Sequence, residues 1–407
     1  MVNRPIYMNK VNSFMDHELV KVITGIRRCG KSYMFNLIIQ ELIEKGVSRE
    51  NIILLNFNEA PYNHVDNSRE LDLIVNDLTK DIKGKVYLFF DEIQNVIGWE
   101  KSITAYNAAY NCDIYIAGSN SKILSEELAT HLTGRYIQIK MYPFSFKEFV
   151  EYKGNNSNSI EELFEEYIVY GGIPVVSSLD DEYKQEYLFD LYSSILFNDI
   201  VSRYNLRDVS ILKRLVEFLM DNIAGQFSVS DIIDYFLKEN IKISRKTVYN
   251  YLDYLQEVYL IYKAKKYDLK GRYMLKNHEK YYVADHGFSQ AILGRNKMNM
   301  GRILENIVYI ELLRRGYEVS IGKIGDDFEV DFVCRKGDKI CYIQVSYHLA
   351  SEETIEREFR PLLEIRDNYP KYVISMDKID FSHDGIIHLN IIDFLLENKK
   401  IRFENSY

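Results

Sequence analysis

One stretch of eight residues constrains this chain more than any other, because it fits the phosphate-binding pattern of glycine, four residues, glycine, lysine and serine. It occupies residues 25–32 and reads GIRRCGKS. An apolar run at 19–23 precedes it as a predicted buried strand, and apolar residues at helical spacing follow it from 34 to 43. Strand, glycine-rich loop and helix are the context that the pattern requires. The sequence therefore predicts a nucleotide-binding loop in an α/β fold.

Each part of this loop has an expected chemical role. Gly25 and Gly30 let the backbone curl, so that its N–H groups and the N-terminus of the following helix point at phosphate oxygens. Lys31 is predicted to bridge the β- and γ-phosphates of ATP, and Ser32 to offer its hydroxyl to Mg²⁺. The predicted nucleotide-binding residues are Gly25, Ile26, Arg27, Arg28, Cys29, Gly30, Lys31, Ser32 and Tyr33. The alternative, a glycine-rich turn that fits the pattern by chance, is weakened by a second motif.

The second motif is a strand that ends in two acidic residues. Five apolar residues, 86–90, precede Asp91 and Glu92, and side chains at the carboxyl end of such a strand face the ligand crevice of an open α/β sheet. Asp91 is predicted to hold Mg²⁺ through water, and Glu92 to polarise the water that attacks the γ-phosphate. The alternative is a solvated acidic pair that opens the next helix.

Further patterns extend this region into a parallel sheet. Strand-like runs at 51–57 and 113–118 alternate with helix-like segments at 68–83 and 103–109. Strands that alternate with helices along the chain are typical of βαβ units. We therefore expect an open parallel sheet around the glycine-rich loop.

Two polar residues follow the strand predicted at 113–118. Ser119 and Asn120 are expected where they could hydrogen-bond the attacking water or the γ-phosphate, as a polar sensor does, and Asn120 is predicted to be catalytic. The alternative is an ordinary turn, since Gly-Ser-Asn is turn chemistry. A helix at 121–131 and a strand at 137–140 are predicted to follow.

Composition bounds the class of protein. The chain has 407 residues, 47% hydrophobic and 27% charged, as expected of a globular protein with about two to four domains. It has no run of about 18 apolar residues and no signal-peptide pattern at its start, so we expect a cytoplasmic protein without a membrane partner. The four cysteines lack metal-ligand spacing, which argues against zinc and disulfides. The net charge of −9 excludes a uniformly basic nucleic-acid coat but not a local basic patch.

Five segments together resemble the prokaryotic AAA-type ATPases that carry a C-terminal domain of unknown function. They are residues 25–32, 91–94, 117–121, 132–135 and 142–149. The resemblance covers the whole chain and implies an enzyme that hydrolyses ATP to ADP and phosphate. In such ATPases an arginine at the place of Arg135 is a candidate finger that acts in trans, which implies a homo-oligomer. The alternative is a surface arginine paired with a local acid.

A helical lid and a winged helix are predicted to follow. Residues 144–225 look all-helical, and among them Arg203 could reach the nucleotide, with a structural ion pair as the alternative. Over residues 242–276, nine Lys or Arg stand against three Asp or Glu, and the outward face of the helix predicted at 245–258 suits double-stranded DNA. Its outward residues are Arg245, Lys246, Tyr249, Asn250 and Asp253, and the first four are the predicted DNA contacts. Strands at 260–264 and 280–284 would form a basic wing, and the alternative is a protein-interaction module with a solvated basic face.

The last segment, 300–407, resembles a restriction-endonuclease-like nuclease core. A helix presents Glu305 and a strand presents Asp331, the positions that bind metal in such a core. Gln344 stands in the place of the second acid, and Ser346 in the place of the lysine. Losing an anionic ligand and a cation weakens a hard-metal site. The domain is therefore predicted to be an inactive nuclease.

These patterns predict an α/β protein with a P-loop parallel-sheet AAA-type ATPase domain, a helical lid, a winged-helix domain and a C-terminal α/β restriction-endonuclease-like domain. The predicted boundaries are 1–143, 144–225, 226–299 and 300–407. The predicted function is Mg²⁺-dependent ATP binding and hydrolysis, coupled to the winged helix and the C-terminal region. The alternatives are a nucleotide-gated DNA-binding regulator with little turnover and an ATP-dependent nuclease.

Overall fold

The computed structural model describes residues 2–124, 134–154, 158–275, 279–294, 299–325, 327–398 and 401. The chain divides into two units, Met1–Pro143 with Glu257–Tyr259, and Phe144–Gln256 with Leu260–Tyr407. Among the described residues, no helix combines the length and the apolar character that crossing a membrane requires.

A five-stranded parallel sheet forms the centre of the first unit. Its strands are β1 (Val20–Thr24), β2 (Ile52–Asn56), β3 (Val86–Asp91), β4 (Cys112–Gly118) and β5 (Tyr136–Lys140). They lie in the order β2-β3-β4-β1-β5, and every neighbouring pair is parallel. All residues of β1 and β3 are buried, as expected of strands covered on both faces. The predicted parallel α/β sheet is confirmed.

Helices cover this sheet in the order that the sequence predicts. The described α-helices of the unit are α1 (Pro5–Phe14), α2 (Lys31–Glu44), α3 (Ser68–Thr79) and α4 (Trp99–Ala109), with 3₁₀ turns at Arg49–Asn51, Ile93–Asn95 and Ser121–Leu124. Helix α3 is shorter than the predicted 68–83 and ends where the Thr79 hydroxyl donates to the carbonyl oxygen of Val75. Of the helix predicted at 121–131, residues 125–131 lie outside the described residues.

A buried ion pair joins two central strands. Lys21 on β1 donates from Nζ to Oδ1 of Asp113 on β4, and both side chains are 0% exposed. The other carboxylate oxygen of Asp113, Oδ2, accepts hydrogen bonds of 2.9 Å from the backbone N–H of Asp16 and from the hydroxyl of Tyr115. Burial lowers the pKa of Lys21, against the opposing influence of Asp113. Both charges are thus partnered within the core.

The second unit begins with helices. They are α5 (Phe146–Lys153), α6 (Ile160–Tyr170), α7 (Asp181–Ser194), α8 (Ser202–Tyr204) and α9 (Val209–Asp221), with a 3₁₀ turn at Val176–Ser178 and a π-helical segment at Ile195–Val201. Capping boxes open α5 and α6, where Ser145 pairs with Glu148 and Ser159 with Glu162. The regular elements described within 144–225 are therefore all helices, and their action as a lid stays a prediction.

Two sheets and six further helices complete the described part of this unit. The helices are α10 (Val229–Lys238), α11 (Arg245–Glu257), α12 (Gly287–Leu293), α13 (Met300–Arg314), α14 (Glu352–Leu363) and α15 (Ile391–Leu395). The strands are β6 (Gln226–Phe227), β7 (Ile261–Ala264), β8 (Lys266–Asp268), β9 (Tyr273–Met274), β10 (Glu279–Val283), β11 (Glu318–Ile324), β12 (Phe328–Lys336), β13 (Lys339–Val345), β14 (Lys371–Ser375) and β15 (Ile386–Asn390). An antiparallel sheet has the order β6-β10-β7, and a larger sheet has the order β15-β14-β13-β12-β11-β8-β9.

Strands β8 and β9 depart from the predicted arrangement. They fall within 226–299, yet β8 pairs in parallel with β11 of the larger sheet. Tyr267 on β8 packs in the same apolar core as Val330 and Val333 of β12, and β8 covers an edge of β11 that would otherwise be open. Strands β8 and β9, which lie between the two predicted wing strands in the sequence, are therefore part of the C-terminal sheet.

The buried ion pair generates a stability prediction. Lys21→Met leaves Asp113 buried without its cation, so the free energy of unfolding should fall by about 3–5 kcal/mol. Guanidinium unfolding followed by fluorescence of Trp99, the single tryptophan, measures this loss. Lys85→Met is the control, because the ion pair of Lys85 with Asp16 is partly exposed and should contribute less than about 1 kcal/mol. Equal losses for the two variants would contradict the prediction.

Candidate nucleotide-binding site

Parallel pairing brings the two sequence motifs to one edge of the first sheet. Ile23 near the end of β1 pairs with Ala117 on β4, and Ala117 pairs with Asp91 at the end of β3. The glycine-rich loop after β1 and the acidic residues at the end of β3 therefore leave the sheet at the same edge, on either side of β4. In open parallel sheets this carboxyl edge is where ligands bind.

The glycine-rich loop is closely packed and its lysine is held inside it. A Cβ on Gly25 would lie 2.4 Å from the carbonyl oxygen of Met141, so a side chain does not fit there. Gly30 has a φ of +104° and forms the N-cap of α2. Lys31 is buried, and its Nζ donates to the carbonyl oxygens of Gly25 at 3.1 Å and Ile26 at 3.2 Å. The ammonium is thus fixed against the loop backbone at the start of α2.

The other loop residues differ in exposure. Ile26 and Cys29 are fully buried, Arg27 and Tyr33 are partly buried, and Arg28 and Ser32 are exposed. Burial raises the pKa of the Cys29 thiol, which keeps it protonated. Ser32 is thus an exposed residue at the start of α2, whereas Cys29 serves packing.

Asp91 is a buried carboxylate with one unsatisfied oxygen. The residue is 2% exposed, it is hydrogen-bonded to the Ser32 side chain, and its Oδ1 atom has no hydrogen-bond partner among the described residues. Burial raises the pKa of Asp91 to about 6, and the neighbouring Glu92 carboxylate adds to the rise. Carboxylate and hydroxyl oxygens are the ligands that Mg²⁺ prefers, so Asp91 and Ser32 fit a magnesium ion.

Glu92 is held in a defined orientation. Its backbone has a φ of +53°, a left-handed conformation that costs a non-glycine residue about 1–2 kcal/mol. Its Oε1 atom accepts from the Ser119 hydroxyl at 2.6 Å, and Oε2 accepts from Nε2 of Gln94. Asn120 follows Ser119 and is 2% exposed at the same strand end. The structure thus brings Ser119 to Glu92, while the catalytic roles of Glu92 and Asn120 stay predictions.

Arg135 lies at the opposite edge of the sheet from the loop of its own chain. Its carbonyl oxygen accepts from the backbone N–H of Val20 at 2.9 Å, and Val20 is the first of the five residues of β1. The glycine-rich loop follows the last of them, about 15 Å away. Arg135 is exposed, and its action in trans stays a prediction. Arg203 is an exposed residue of α8 in the second unit.

Sequence reasoning missed Arg4, which supports the loop. Its side chain is fully buried, Nη1 donates to the carbonyl oxygen of Cys29 at 2.7 Å, and Nη2 donates to that of Tyr142 at 2.8 Å. The guanidinium thereby ties the loop backbone to the segment after β5. A lone arginine before a proline belongs to no motif or periodic pattern, so the sequence carries no local signal for this role.

The buried carboxylate generates a pH-dependent prediction. With a pKa of about 6 in the folded protein and near 4 when unfolded, Asp91 destabilises the fold as it ionises between about pH 4 and pH 6. Nucleotide-free Asp91→Asn should therefore match wild type near pH 4 and exceed its free energy of unfolding by about 3 kcal/mol at pH 7.5. Denaturant unfolding at both pH values measures the difference. A less stable variant at pH 7.5 would contradict the described environment.

Three family models match consecutive parts of the chain. A model described as an AAA domain matches residues 17–150. Two models described as domains of unknown function, DUF8612 and DUF4143, match residues 161–299 and 300–395. The resemblance to AAA-type ATPases with a C-terminal domain of unknown function is thereby confirmed at the level of the family.

Two solved structures show a more remote likeness. The Orc1 protein of Aeropyrum pernix in complex with DNA is 12% identical, with 72% of this chain and 92% of that chain covered at a TM-score of 0.31. A DNA polymerase III gamma subunit-related protein of Thermotoga maritima is 13% identical, with 62% and 99% covered at a TM-score of 0.28. With TM-scores this low, neither likeness bears on the function of this chain.

Two relatives match nearly the whole chain. An uncharacterized protein of Haemophilus influenzae is 40% identical over 400 residues, which cover 98% of this chain and 99% of the relative. An uncharacterized protein of Methanocaldococcus jannaschii is 33% identical over 390 residues, which cover 92% of this chain and 85% of the relative. Together with the AAA-domain match, these alignments show that the chain belongs to their family, P-loop AAA-type proteins with C-terminal domains of unknown function.

Proposed function

We propose that this protein binds ATP with Mg²⁺ at the glycine-rich loop and hydrolyses it to ADP and phosphate. The observation that carries the proposal is the buried Asp91 carboxylate, which bonds to Ser32 and keeps Oδ1 without a hydrogen-bond partner among the described residues. An unsatisfied buried carboxylate oxygen is costly. A cation bound with the nucleotide would offset that cost, and this would explain a buried carboxylate at position 91.

The loop residues have proposed binding roles. The Lys31 ammonium binds β- and γ-phosphate oxygens, and the loop N–H groups surround the phosphates at the N-terminus of α2. Ser32 and Asp91 hold Mg²⁺, which supplies neutralisation of phosphate charge when bound. Arg4 keeps the loop backbone in place through the carbonyl oxygen of Cys29.

The residues after β3 and β4 have proposed catalytic roles. Glu92 orients a water molecule toward the γ-phosphate and accepts its proton at the carboxylate. Ser119 positions that carboxylate through the 2.6 Å hydrogen bond, and Asn120 orients the water or the γ-phosphate. Arg135 is proposed to act on the nucleotide of a neighbouring subunit, which requires a homo-oligomer. We also propose that hydrolysis is coupled to the second unit, which is present together with the first in both relatives.

A second candidate function is binding of double-stranded DNA by the segment that contains α10 and α11. The order of β6, α10, α11, β7 and β10 suits a winged helix, and α11 exposes Arg245 and Lys246. Tyr249 on the same face is 49% exposed, and Asn250 is partly buried. The Nη2 atom of Arg245 donates to the Ser230 hydroxyl at 2.7 Å, which joins the starts of the two helices. These side chains suit contact with phosphates and base edges.

The basic surface is smaller than the sequence predicts. Lys266 is buried and pairs with Glu329 at 3.0 Å, and Lys263 pairs with Glu279 at 2.6 Å. Two of the nine cations counted over 242–276 are therefore neutralised by acids that lie outside that window. The proposal of a DNA-binding regulator therefore rests on the exposed face of α11 rather than on the net charge of residues 242–276.

The nuclease alternative receives no support. In the part of the chain that the structure describes, no group of three or more His, Cys, Asp or Glu side chains is placed to share a metal ion. In a metal-dependent nuclease the acidic side chains share the ion directly, whereas Glu305 and Asp331 lie around the ammonium of Lys280. We keep the nuclease-like interpretation of 300–407 as a proposal about fold only.

The lysine of the loop provides the first test. Lys31→Ala should weaken Mg²⁺-ATP binding by about 10- to 100-fold, since it removes charge-assisted bonds to phosphate. Isothermal titration calorimetry measures binding, and phosphate release measures the accompanying loss of hydrolysis. Lys45→Ala, after the other end of α2, is the control, because Lys45 pairs with Glu41 on the surface. Unchanged affinity in Lys31→Ala would contradict the proposed function.

The face of α11 provides the second test. Arg245→Ala and Lys246→Ala should each weaken binding of a short DNA duplex and lower the salt slope by about one. Fluorescence anisotropy at several salt concentrations measures both quantities. Lys238→Ala is the control, because Lys238 is an exposed cation at the other end of α10. Equal weakening in all three variants would contradict a specific role for α11.

A further inference from the structure

A lysine ammonium lies among three carboxylates in the second unit. Lys280 on β10 is 5% exposed. Its Nζ atom is 3.0 Å from Oε1 of Glu305 on α13, 2.9 Å from Oε1 of Glu329 on β12 and 3.8 Å from Oδ1 of Asp331 on β12. Glu329 also pairs with Lys266 at 3.0 Å. We call Glu305, Glu329 and Asp331 the acidic centre. Two lysines of the same chain, Lys280 and Lys266, supply its cations.

Neutral donors complete the acidic centre. The hydroxyl of Tyr282, a fully buried residue, donates to Oε1 of Glu305 at 2.7 Å, and the backbone N–H of Val345 donates to Oδ2 of Asp331 at 2.9 Å. Burial, and then the Glu305 carboxylate, raise the pKa of Asp331. Carboxylates this close and this buried need a cation to remain ionised.

Gln344 and Ser346, which stand in the places of two residues of a nuclease motif in the proposed nuclease-like fold, form hydrogen bonds but contribute no charge. Gln344 accepts from the backbone N–H of Asp331 at 3.2 Å and donates to Oε2 of Glu358 at 3.0 Å. The Ser346 hydroxyl donates to the carbonyl oxygen of His348 at 3.3 Å. Neither side chain adds negative charge to the acidic centre. Glu305 and Asp331, the two acids that the sequence predicts for such a core, both face Lys280, together with Glu329.

We propose that Lys280 is the resident cation of the acidic centre, standing where a nuclease-like core binds a divalent metal ion. Distances of 2.9–3.0 Å from Nζ to the two glutamates are those of ammonium–carboxylate bonds, whereas Mg²⁺ and Mn²⁺ need oxygens at about 2.0–2.2 Å. The centre is therefore closed to metal in the wild-type chain. The inference concerns the second unit and is independent of the proposed ATP hydrolysis.

The ammonium also joins two sheets. Lys280 belongs to the sheet β6-β10-β7, whereas Glu329 and Asp331 belong to the larger sheet. Its ion pairs thus hold the region proposed as a winged helix against the C-terminal sheet. Asp331, which a nuclease-like core would use to bind metal, is here part of the junction between the two sheets.

Removal of the ammonium tests the proposal in the nucleotide-free full chain. Lys280→Met keeps the side-chain length but leaves the carboxylates without their central cation. We expect Lys280→Met to unfold at a lower temperature than wild type and to regain stability in Mn²⁺. The variant should also bind one Mn²⁺ ion that wild type does not bind. Thermal unfolding and electron paramagnetic resonance of free Mn²⁺ measure these quantities.

Matched variants identify the site of any added ion. Adding Asp331→Asn to Lys280→Met should remove the extra Mn²⁺, and Lys280→Arg, which keeps a cation, should bind none. Lys263→Met is the control, because it removes a partly buried cation on β7 that pairs with Glu279 outside the acidic centre. It should gain no Mn²⁺.

The outcomes distinguish a centre occupied by Lys280 from a centre that binds a metal ion in the wild-type chain. Wild-type Mn²⁺ binding that disappears with Asp331→Asn alone would show a working metal site and overturn the proposal. A Lys280→Met variant that gains no Mn²⁺ would overturn it too. If that variant folds only when Mn²⁺ is present, the proposal is supported, and failure to fold with and without Mn²⁺ counts against it.

Discussion

The carboxylate of Asp113 faces the ammonium of Lys21 between two neighbouring strands of the parallel sheet, where neither side chain is accessible to water. This pairing illustrates a constraint that runs through both units, because a charge taken out of water must be met by an opposite charge or by hydrogen bonds. Arg4 meets it with backbone carbonyl oxygens, and Lys280 with carboxylates. Asp91 departs from the pattern, since one of its oxygens has no hydrogen-bond partner among the described residues. This unsatisfied oxygen next to Ser32 is the observation on which the proposed Mg²⁺ site rests.

Local patterns in the sequence predicted the fold of the first unit and the residues at the carboxyl edge of its parallel sheet. Glycine spacing, strand runs and helical periodicity are short-range signals, so they place the loop at 25–32 and the acids Asp91 and Glu92 correctly relative to their own strands. The parallel sheet then brings these strand ends together without further information. Ser119 was expected to face nucleotide, and the structure shows it bonded to Glu92.

Contacts between residues far apart in the sequence could not be predicted, because no short-range pattern indicates them. Arg4 contacts Tyr142, and Lys280 contacts residues on a helix and a strand from a segment predicted as another domain. A lysine in a basic segment is expected at the surface, since burial of an unpaired ammonium is costly, and only tertiary structure supplies the partners that reverse this expectation. Strand β8 joined the larger sheet for a similar reason, because pairing with β11 depends on an edge that the sequence does not display.

The central claim is that the edge formed by the loop, Asp91 and Glu92 hydrolyses ATP. Its most direct test is a single-turnover experiment with γ-labelled ATP and Mg²⁺, comparing wild type with Glu92→Gln. Glu92→Gln should bind Mg²⁺-ATP about as tightly as wild type but cleave the γ-phosphate at least about 100-fold more slowly. Cleavage by Glu92→Gln at the wild-type rate would contradict the account.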